Sequence, residues 1–118
     1  MAISLKRVYE PPTKGDGYRV LVDGIWPRGV KKEVAEIDLW LKEIAPSREL
    51  RKWFDHDPKK WRQFKVRYFR ELSKNAETTT ALVSKAKRRR VTLLFAARDE
   101  EHNNAVALRL YLQREYRI

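Results

Sequence analysis

The segment VTLLFAARDEEHNNAVALRLYL, Val91 to Leu112, decides how this chain is read. It opens as a continuous apolar run, crosses five charged or histidine side chains from Arg98 to His102, and resumes with apolar residues at helical spacing. A run such as VTLLFAA, with no polar alternation, is what a strand covered on both faces needs. Ala105, Leu108, Tyr111 and Leu112 then share one side of a helix predicted over 100–115. A buried strand passing into a packed helix is half of a βα unit, and such units build parallel sheets.

Working outward, YRVLVDG (18–24) is a second strand of this kind, with Val20, Leu21 and Val22 bounded by glycines. ISLKRVY (3–9) is a shorter strand, EPPTKGDG (10–17) is loop, and IWPRGVKKE (25–33) is a loop that opens a short helix. IDLWLKEI (37–44) has two readings. Ile37, Leu39 and Leu41 alternate as in a half-buried strand, whereas Ile37, Trp40, Leu41 and Ile44 share a helical face. The strand reading is preferred because APS follows and Ser47 is placed to cap a fresh helix with Leu50, Trp53 and Phe54 on one side.

Asp57-Pro58 then reads as an N-cap followed by a first-turn proline. The helix it opens, 58–73, carries Trp61, Phe64, Tyr68 and Leu72 at spacings of three and four. A weaker helix over 78–90 ends in a basic cluster. The implied fold class is α/β: a small, mainly parallel sheet of about four strands flanked by helices, forming a single domain over residues 1–118.

Composition narrows the function classes. The chain has 118 residues and no cysteine, so disulfides and thiolate metal sites are excluded and packing must hold the fold. An apolar fraction of 42% with four tryptophans indicates a folded core. No stretch reaches the roughly 18 apolar residues of a membrane span, and the N-terminal segment lacks a signal-peptide core. The expectation is a soluble, cytoplasmic protein with no membrane partner. A formal charge of +11 creates a field that attracts polyanions, or serves solubility. With four glycines, neither a P-loop nor a dinucleotide fingerprint occurs, and no GxSxG elbow is present.

In open parallel sheets, ligands bind beyond the carboxyl ends of the strands. Both apolar strands end there in polar clusters. After the last one, Arg98 suits a phosphate or carboxylate held by two parallel hydrogen bonds, His102 suits proton transfer, and Glu101 suits a base. The competing reading makes Asp99 an N-cap, with Glu100 and Glu101 complementing the helix dipole; it leaves Arg98 and His102 unexplained. After the first strand, Asp23 presents a carboxylate, Trp26-Pro27 a flat wall and Arg28-Gly29 a guanidinium beside a flexible backbone, a combination suited to stacking a base and holding its phosphate. Otherwise Asp23 ties a turn and Trp26 fills core. His56 between two Asp in WFDHD could form a proton-transfer unit or a metal corner, but the preferred reading is a helix stop with Asp57 capping the next helix, and two histidines 46 positions apart argue against a metal. Lys87, Arg88, Arg89 and Arg90 would meet nucleic-acid phosphates without reading bases, or end a solvated helix.

The blocks KRVYEPP, DGYRVLVDGIWPRG, LWLKEIAPSRELRKWFDHDPKKW and VTLLFAARDEEHNNAVALRLYL cover nearly the whole chain in order. They resemble the YeaO-like branch of the domain-of-unknown-function family numbered 488. The resemblance implies a small three-layer α/β domain and a pocket shared by Asp23, Arg28, Arg98 and His102. The wider family ends its last core strand in a charged stretch leading to Cys-His-Arg; here the corresponding residues are Glu101, His102 and Asn103, so a thiol mechanism is not carried over.

The resulting expectation is recognition of a nucleotide or nucleic-acid phosphate, with acid–base hydrolase or transferase chemistry. Trp26, Arg28, Arg98 and Asn103 would hold the ligand, Asp23, Glu101 and His102 would move protons, and no metal or cofactor is required. The alternative is a basic, non-catalytic nucleic-acid-binding module.

Overall fold

The apolar run at 91–95 lies at the heart of a four-stranded sheet. The structure, a computed structural model, describes residues 3–117. Among these, the strands are β1 (Ile3–Arg7), β2 (Tyr18–Leu21), β3 (Leu39–Trp40) and β4 (Val91–Phe95). Their spatial order is β1-β4-β2-β3, and every pairing is parallel. β4 pairs with β1 from Ile3–Val91 to Arg7–Phe95 and with β2 from Tyr18–Val91 to Leu21–Leu94. All five β4 residues are buried, as a strand packed on both faces must be. Five α-helices complete the described chain: α1 (Lys32–Ala35), α2 (Arg48–Phe54), α3 (Trp61–Ser73), α4 (Ala76–Arg88) and α5 (Asn104–Tyr116). The chain is a single α/β domain.

The two faces of the sheet are covered unequally. Val20, Val22, Val91, Leu93 and Phe95 point to one face and meet Phe64, Tyr68, Leu72, Leu108 and Leu112 of α3 and α5, together with Leu82 and Val83 of α4. The opposite face is thin. There Leu21, Leu94 and Val8 meet Ala35, Ile37 and the half-buried Trp26, Val30, Trp40 and Ala96. A polar cluster completes this face: Arg19 is 3% exposed, and its guanidinium pairs with Asp16 while Nε donates to the carbonyls of Ala35 and Glu36. Lys6 Nζ lies 3.1 Å from Asp16, and Thr92 Oγ1 donates to the Asp16 carbonyl at 2.7 Å. Gly17, at φ 67°, lies against the Arg90 carbonyl, where a Cβ would collide with it.

Local sequence chemistry accounts for most boundaries. Ser47 caps α2 by accepting from Leu50 N–H, and Asp57 accepts from Lys59 N–H at the head of the 3-10 turn Pro58–Lys60 that leads into α3. Two expectations are corrected. The 37–44 segment is not a continuous strand: β3 has two residues, and a 3-10 turn, Lys42–Ile44, follows at once. The last helix starts at Asn104, not near 100. Asn103 is its cap, accepting from Val106 N–H at 3.0 Å, because Asp99 spends its side chain on the turn before it.

Burial pushes the Asp16 carboxyl upward, but the Thr13 N–H, the Lys6 ammonium, the Thr13 hydroxyl and the Arg19 guanidinium outweigh it and hold the group at about 2, below its ordinary 3.8. A carboxyl lowered on folding contributes stability above its unfolded value and loses that contribution as pH falls through the folded value. Asp16→Ala should cost about 3–5 kcal/mol at neutral pH, since it strands a buried guanidinium. In thermal melts the gap between wild type and Asp16→Asn should be full above pH ~4 and close toward pH ~2; a gap that is the same at both ends would show that the cluster does not carry this load.

Candidate functional site

The carboxyl ends of β2 and β4 are neighbours, so the segments following them open side by side. Asp23, two residues beyond β2, bridges them. Its Oδ2 accepts from Ala96 N–H at 2.9 Å and its Oδ1 from the Asn104 side chain at 3.0 Å. The same Asn104 amide donates to the Val22 carbonyl at 3.0 Å. From the other side, Arg7 at the end of β1 donates to the carbonyls of Ala97 and Ala96 at 3.0 and 3.2 Å. Burial raises the Asp23 carboxyl above its ordinary range, opposed by the Asn104 and Ala96 hydrogen bonds and then by the charges of Arg51 and His56.

The 24–30 loop is held by two tryptophans. Trp40 Nε1 donates to the Asp23 carbonyl at 2.7 Å, Trp26 Nε1 donates to the Val30 carbonyl at 2.8 Å, and the rings meet edge to face at 5.3 Å. Tyr9 Oη donates to the Arg28 carbonyl at 3.0 Å, which pins that backbone and leaves the Arg28 side chain exposed.

Between this loop, the 96–104 segment and α2–α3 lies an open cleft of about 770 Å³. Its apolar wall includes Trp26, Pro27, Phe54 and Phe64; Arg28, Arg51 and Arg98 bring three guanidinium groups to it; and Asp23, Asp99 and His56 complete its ionisable lining. Arg51 enters because Gly24 has no side chain: a Cβ there would overlap the guanidinium. His56 reaches the rim from a turn in which Asp55 and His56 both take left-handed backbone angles, φ 46° and 54°. No lining residue is Ser, Thr, Tyr, Cys or Lys. Among the described residues, no group of three His, Cys, Asp or Glu is placed to hold a metal ion, and no helix is long and apolar enough to cross a membrane.

The cleft gathers Asp23, Trp26, Arg28, Arg98 and Asn103 of the residues singled out from the sequence. Asn103 is 2% exposed, and both ends of its amide serve the backbone: Oδ1 caps α5, and Nδ2 donates to the Asp99 carbonyl at 2.9 Å. Glu101 is exposed and is not part of the lining. His102 also lies off it: its ring packs edge to face on Trp61 at 5.4 Å, and Nδ1 lies 3.0 Å from Asp99 Oδ2. Asp99 Oδ1 accepts from the N–H groups of Glu101 and His102 at 2.9 Å, and the Glu101 hydrogen bond is the main cause of its lowered carboxyl pKa.

Lys87 and Arg88 close α4, and Arg89 and Arg90 lead into the first residue of β4. They therefore sit about 16 Å of strand away from the cleft, at the amino end of the sheet. Arg89 and Lys85 lie over the Tyr18 ring, and Arg90 donates to Ser4 Oγ at 3.4 Å.

Arg51 and Asn104 carry no signal in the sequence that marks them for the cleft, and His56 reads there first as part of a helix stop. WFDHD reads as a helix stop, which it is, and nothing in its spacing places His56 on the cleft.

A small all-parallel α/β domain with an apolar-walled, arginine-lined cleft at the carboxyl edge of its central strands is the class of protein these features define. Within that class the chain belongs to the DUF488 family: the family model described as the inactive DUF488-N3 subclade matches residues 2–117. It is similar to the uncharacterised protein YeaO of Escherichia coli (strain K12), 42% identical over 113 residues, covering 96% of this chain and 98% of that one. An uncharacterised protein of Mycobacterium tuberculosis (strain ATCC 25618 / H37Rv) is 45% identical over 74 residues, 63% of each chain. No solved structure matches.

Asn104→Ala removes the hydrogen bonds to Asp23 and Val22 together. It should cost about 1–3 kcal/mol in denaturant unfolding, because partly buried acceptors lose their donor. Hydrogen exchange at Ala96 N–H should quicken in the same variant; unchanged exchange there would show that Asp23 holds the strand end without Asn104.

Proposed function

We propose that this protein recognises a phosphate-bearing ligand, a nucleotide or the end of a nucleic acid, in the cleft beyond β2 and β4, and holds it without transforming it. The observation that carries this reading is the convergence of Arg28, Arg51 and Arg98 on a cleft walled by Trp26 and Phe54. Guanidinium groups match phosphate oxygens through parallel N–H donors, and an aromatic wall offers a face to a base or sugar. A volume near 770 Å³ falls in the range of small-molecule sites.

Acid–base chemistry has less support. Both oxygens of Asp23 already accept hydrogen bonds that close the fold, Glu101 and His102 lie outside the lining, and no hydroxyl or thiol nucleophile faces the cleft. The family description, an inactive subclade, agrees with binding without turnover.

Thermal melts with nucleoside mono-, di- and triphosphates and with inorganic phosphate test the reading. A ligand at a hundredfold excess over its Kd adds about 2.7 kcal/mol, a rise of several degrees in Tm. Arg28→Ala/Arg98→Ala should abolish that rise while leaving the ligand-free stability within about 1 kcal/mol of wild type, since both side chains are exposed. The reading fails if no phosphate compound shifts the wild type, or if the double variant responds equally.

A further inference from the structure

The net charge of this chain is not spread over its surface. Residues 48–74 hold ten Lys and Arg against four Asp and Glu, residues 85–90 hold five against none, and the remainder holds twelve against twelve. The whole excess of +11 therefore resides in two blocks. The larger is the α2–α3 unit, which also supplies Arg51, Phe54, His56 and Phe64 to the cleft.

On α3 the cations form a row. Lys60, Arg67, Arg70 and Lys74 recur at intervals of seven, three and four, so they share one helix face and span about 21 Å. Contacts with α2 hold the upper part of the row in place. Arg67 stacks on the Trp53 ring at 4.2 Å, and Lys60 lies over the same ring at 5.2 Å while donating to the Trp53 carbonyl at 2.7 Å. Cations fixed in this way lose less freedom when a phosphate binds. Arg67, Arg70 and Lys74 also line a second hollow, of about 290 Å³, beside α2. Glu71 lies in that hollow, but its two oxygens are committed to Ser47 N–H at 2.8 Å and Ser47 Oγ at 2.6 Å; Glu49 is the other acid there. Among the described residues, no ion pair involves any of the four cations. The row ends at Lys60, and the 3-10 turn Pro58–Lys60 links it to His56 on the rim of the cleft.

We infer that the Lys60–Lys74 face of α3 is a track for the backbone of a single-stranded polynucleotide whose end enters the cleft. The inference rests on the phosphate reading of the cleft for that end of the strand alone. A charged row with fixed cations suits a repeating phosphate chain, and a base that reaches a cleft has to be unpaired. A membrane surface fits poorly: Phe64, Tyr68 and Leu72 of α3 are buried in the core, and the exposed Val66 is a single apolar side chain among cations, not the broad apolar face a lipid-bound helix needs. The 85–90 block lies at the far end of the sheet, with Lys85 and Arg89 against Tyr18, and is not continuous with the cleft.

The test uses the full chain and oligothymidylates of one to about ten nucleotides, titrated by fluorescence anisotropy over a range of salt. Affinity should rise with length, and four neutralised phosphates should give a slope of log K against log salt of about −3. Arg70→Ala/Lys74→Ala, which leaves the Trp53 stack intact, should roughly halve the slope and leave mononucleotide affinity unchanged. Arg28→Ala/Arg98→Ala should do the reverse, removing mononucleotide binding while the long oligomers keep most of their slope. The track is overturned if oligomers bind no tighter than a mononucleotide, if the α3 variant keeps the full slope, or if anionic phosphatidylserine vesicles depend on Arg70 and Lys74 while oligomers do not. If mononucleotides never bind and the cleft variant leaves oligomer affinity untouched, the cleft reading and the placement of the strand end fail together, with the slope still reporting on the track.

Discussion

The carboxylate of Asp23 is the constraint on which the cleft depends. It joins the exit of β2 to the exit of β4 through Ala96 N–H and to the first turn of α5 through Asn104. Parallel neighbours end on the same side, and without a tie their following loops would be free to spread. Asp23 gives those loops a shared anchor, with Arg7 holding the carbonyls of Ala96 and Ala97 from the next strand over. Burial raises its pKa, but both of its oxygens are already taken up by these ties. Asp23, a residue type that suggests chemistry in the sequence, thus ties the loops together in the fold, while the guanidinium groups of Arg28, Arg51 and Arg98 line the cleft those loops form.

The same division appears on the thin face of the sheet. Five apolar side chains and a few half-buried neighbours form its small cluster, and the Lys6–Asp16–Arg19 network occupies the rest. Paired charges here specify how the 8–17 link crosses β4 to reach β2, a crossing made without a packed α-helix. The thick face carries the hydrophobic core, while on the thin face polar contacts join β1, β2 and β4 to the 8–17 link.

Much of the architecture was legible in the sequence. VTLLFAA and YRVLVDG have no alternation because their strands are covered on both sides, and they prove to be the two inner strands. Trp61, Phe64, Tyr68 and Leu72 gave α3 its inner stripe, and Ser47 and Asp57 marked the capped turns. The start of α5 was misplaced because Asp99, Glu100 and Glu101 look like a capped first turn, whereas Asp99 caps a separate turn and Asn103 opens the helix. In 37–44 the apolar alternation does not mark one buried face: Leu39 is exposed, Ile37 and Trp40 join the thin-face cluster, Leu41 joins the main core, and β3 ends after Trp40 where the chain tightens into a 3-10 turn. For the cleft, Asp23, Arg28 and Arg98 could be grouped because each follows a strand end. Arg51 and His56 could not, since they reach it only through the packing of α2–α3 against the sheet, and no periodicity encodes that contact.

The strand order has a consequence for how the chain is made. β4 is the inner partner of both β1 and β2, yet it is the last strand in sequence, with Val91 pairing to Ile3 and to Tyr18 at once. On the ribosome, β1 and β2 have no common neighbour until β4 emerges, and the ladders it completes join residues more than seventy positions apart. Such non-local pairing is slow and leaves strand edges open in the meantime. Helices α2, α3 and α4 precede β4 in synthesis and touch one another in the folded chain, so their mutual contacts are local, whereas the sheet they cover is completed only by the strand made after them.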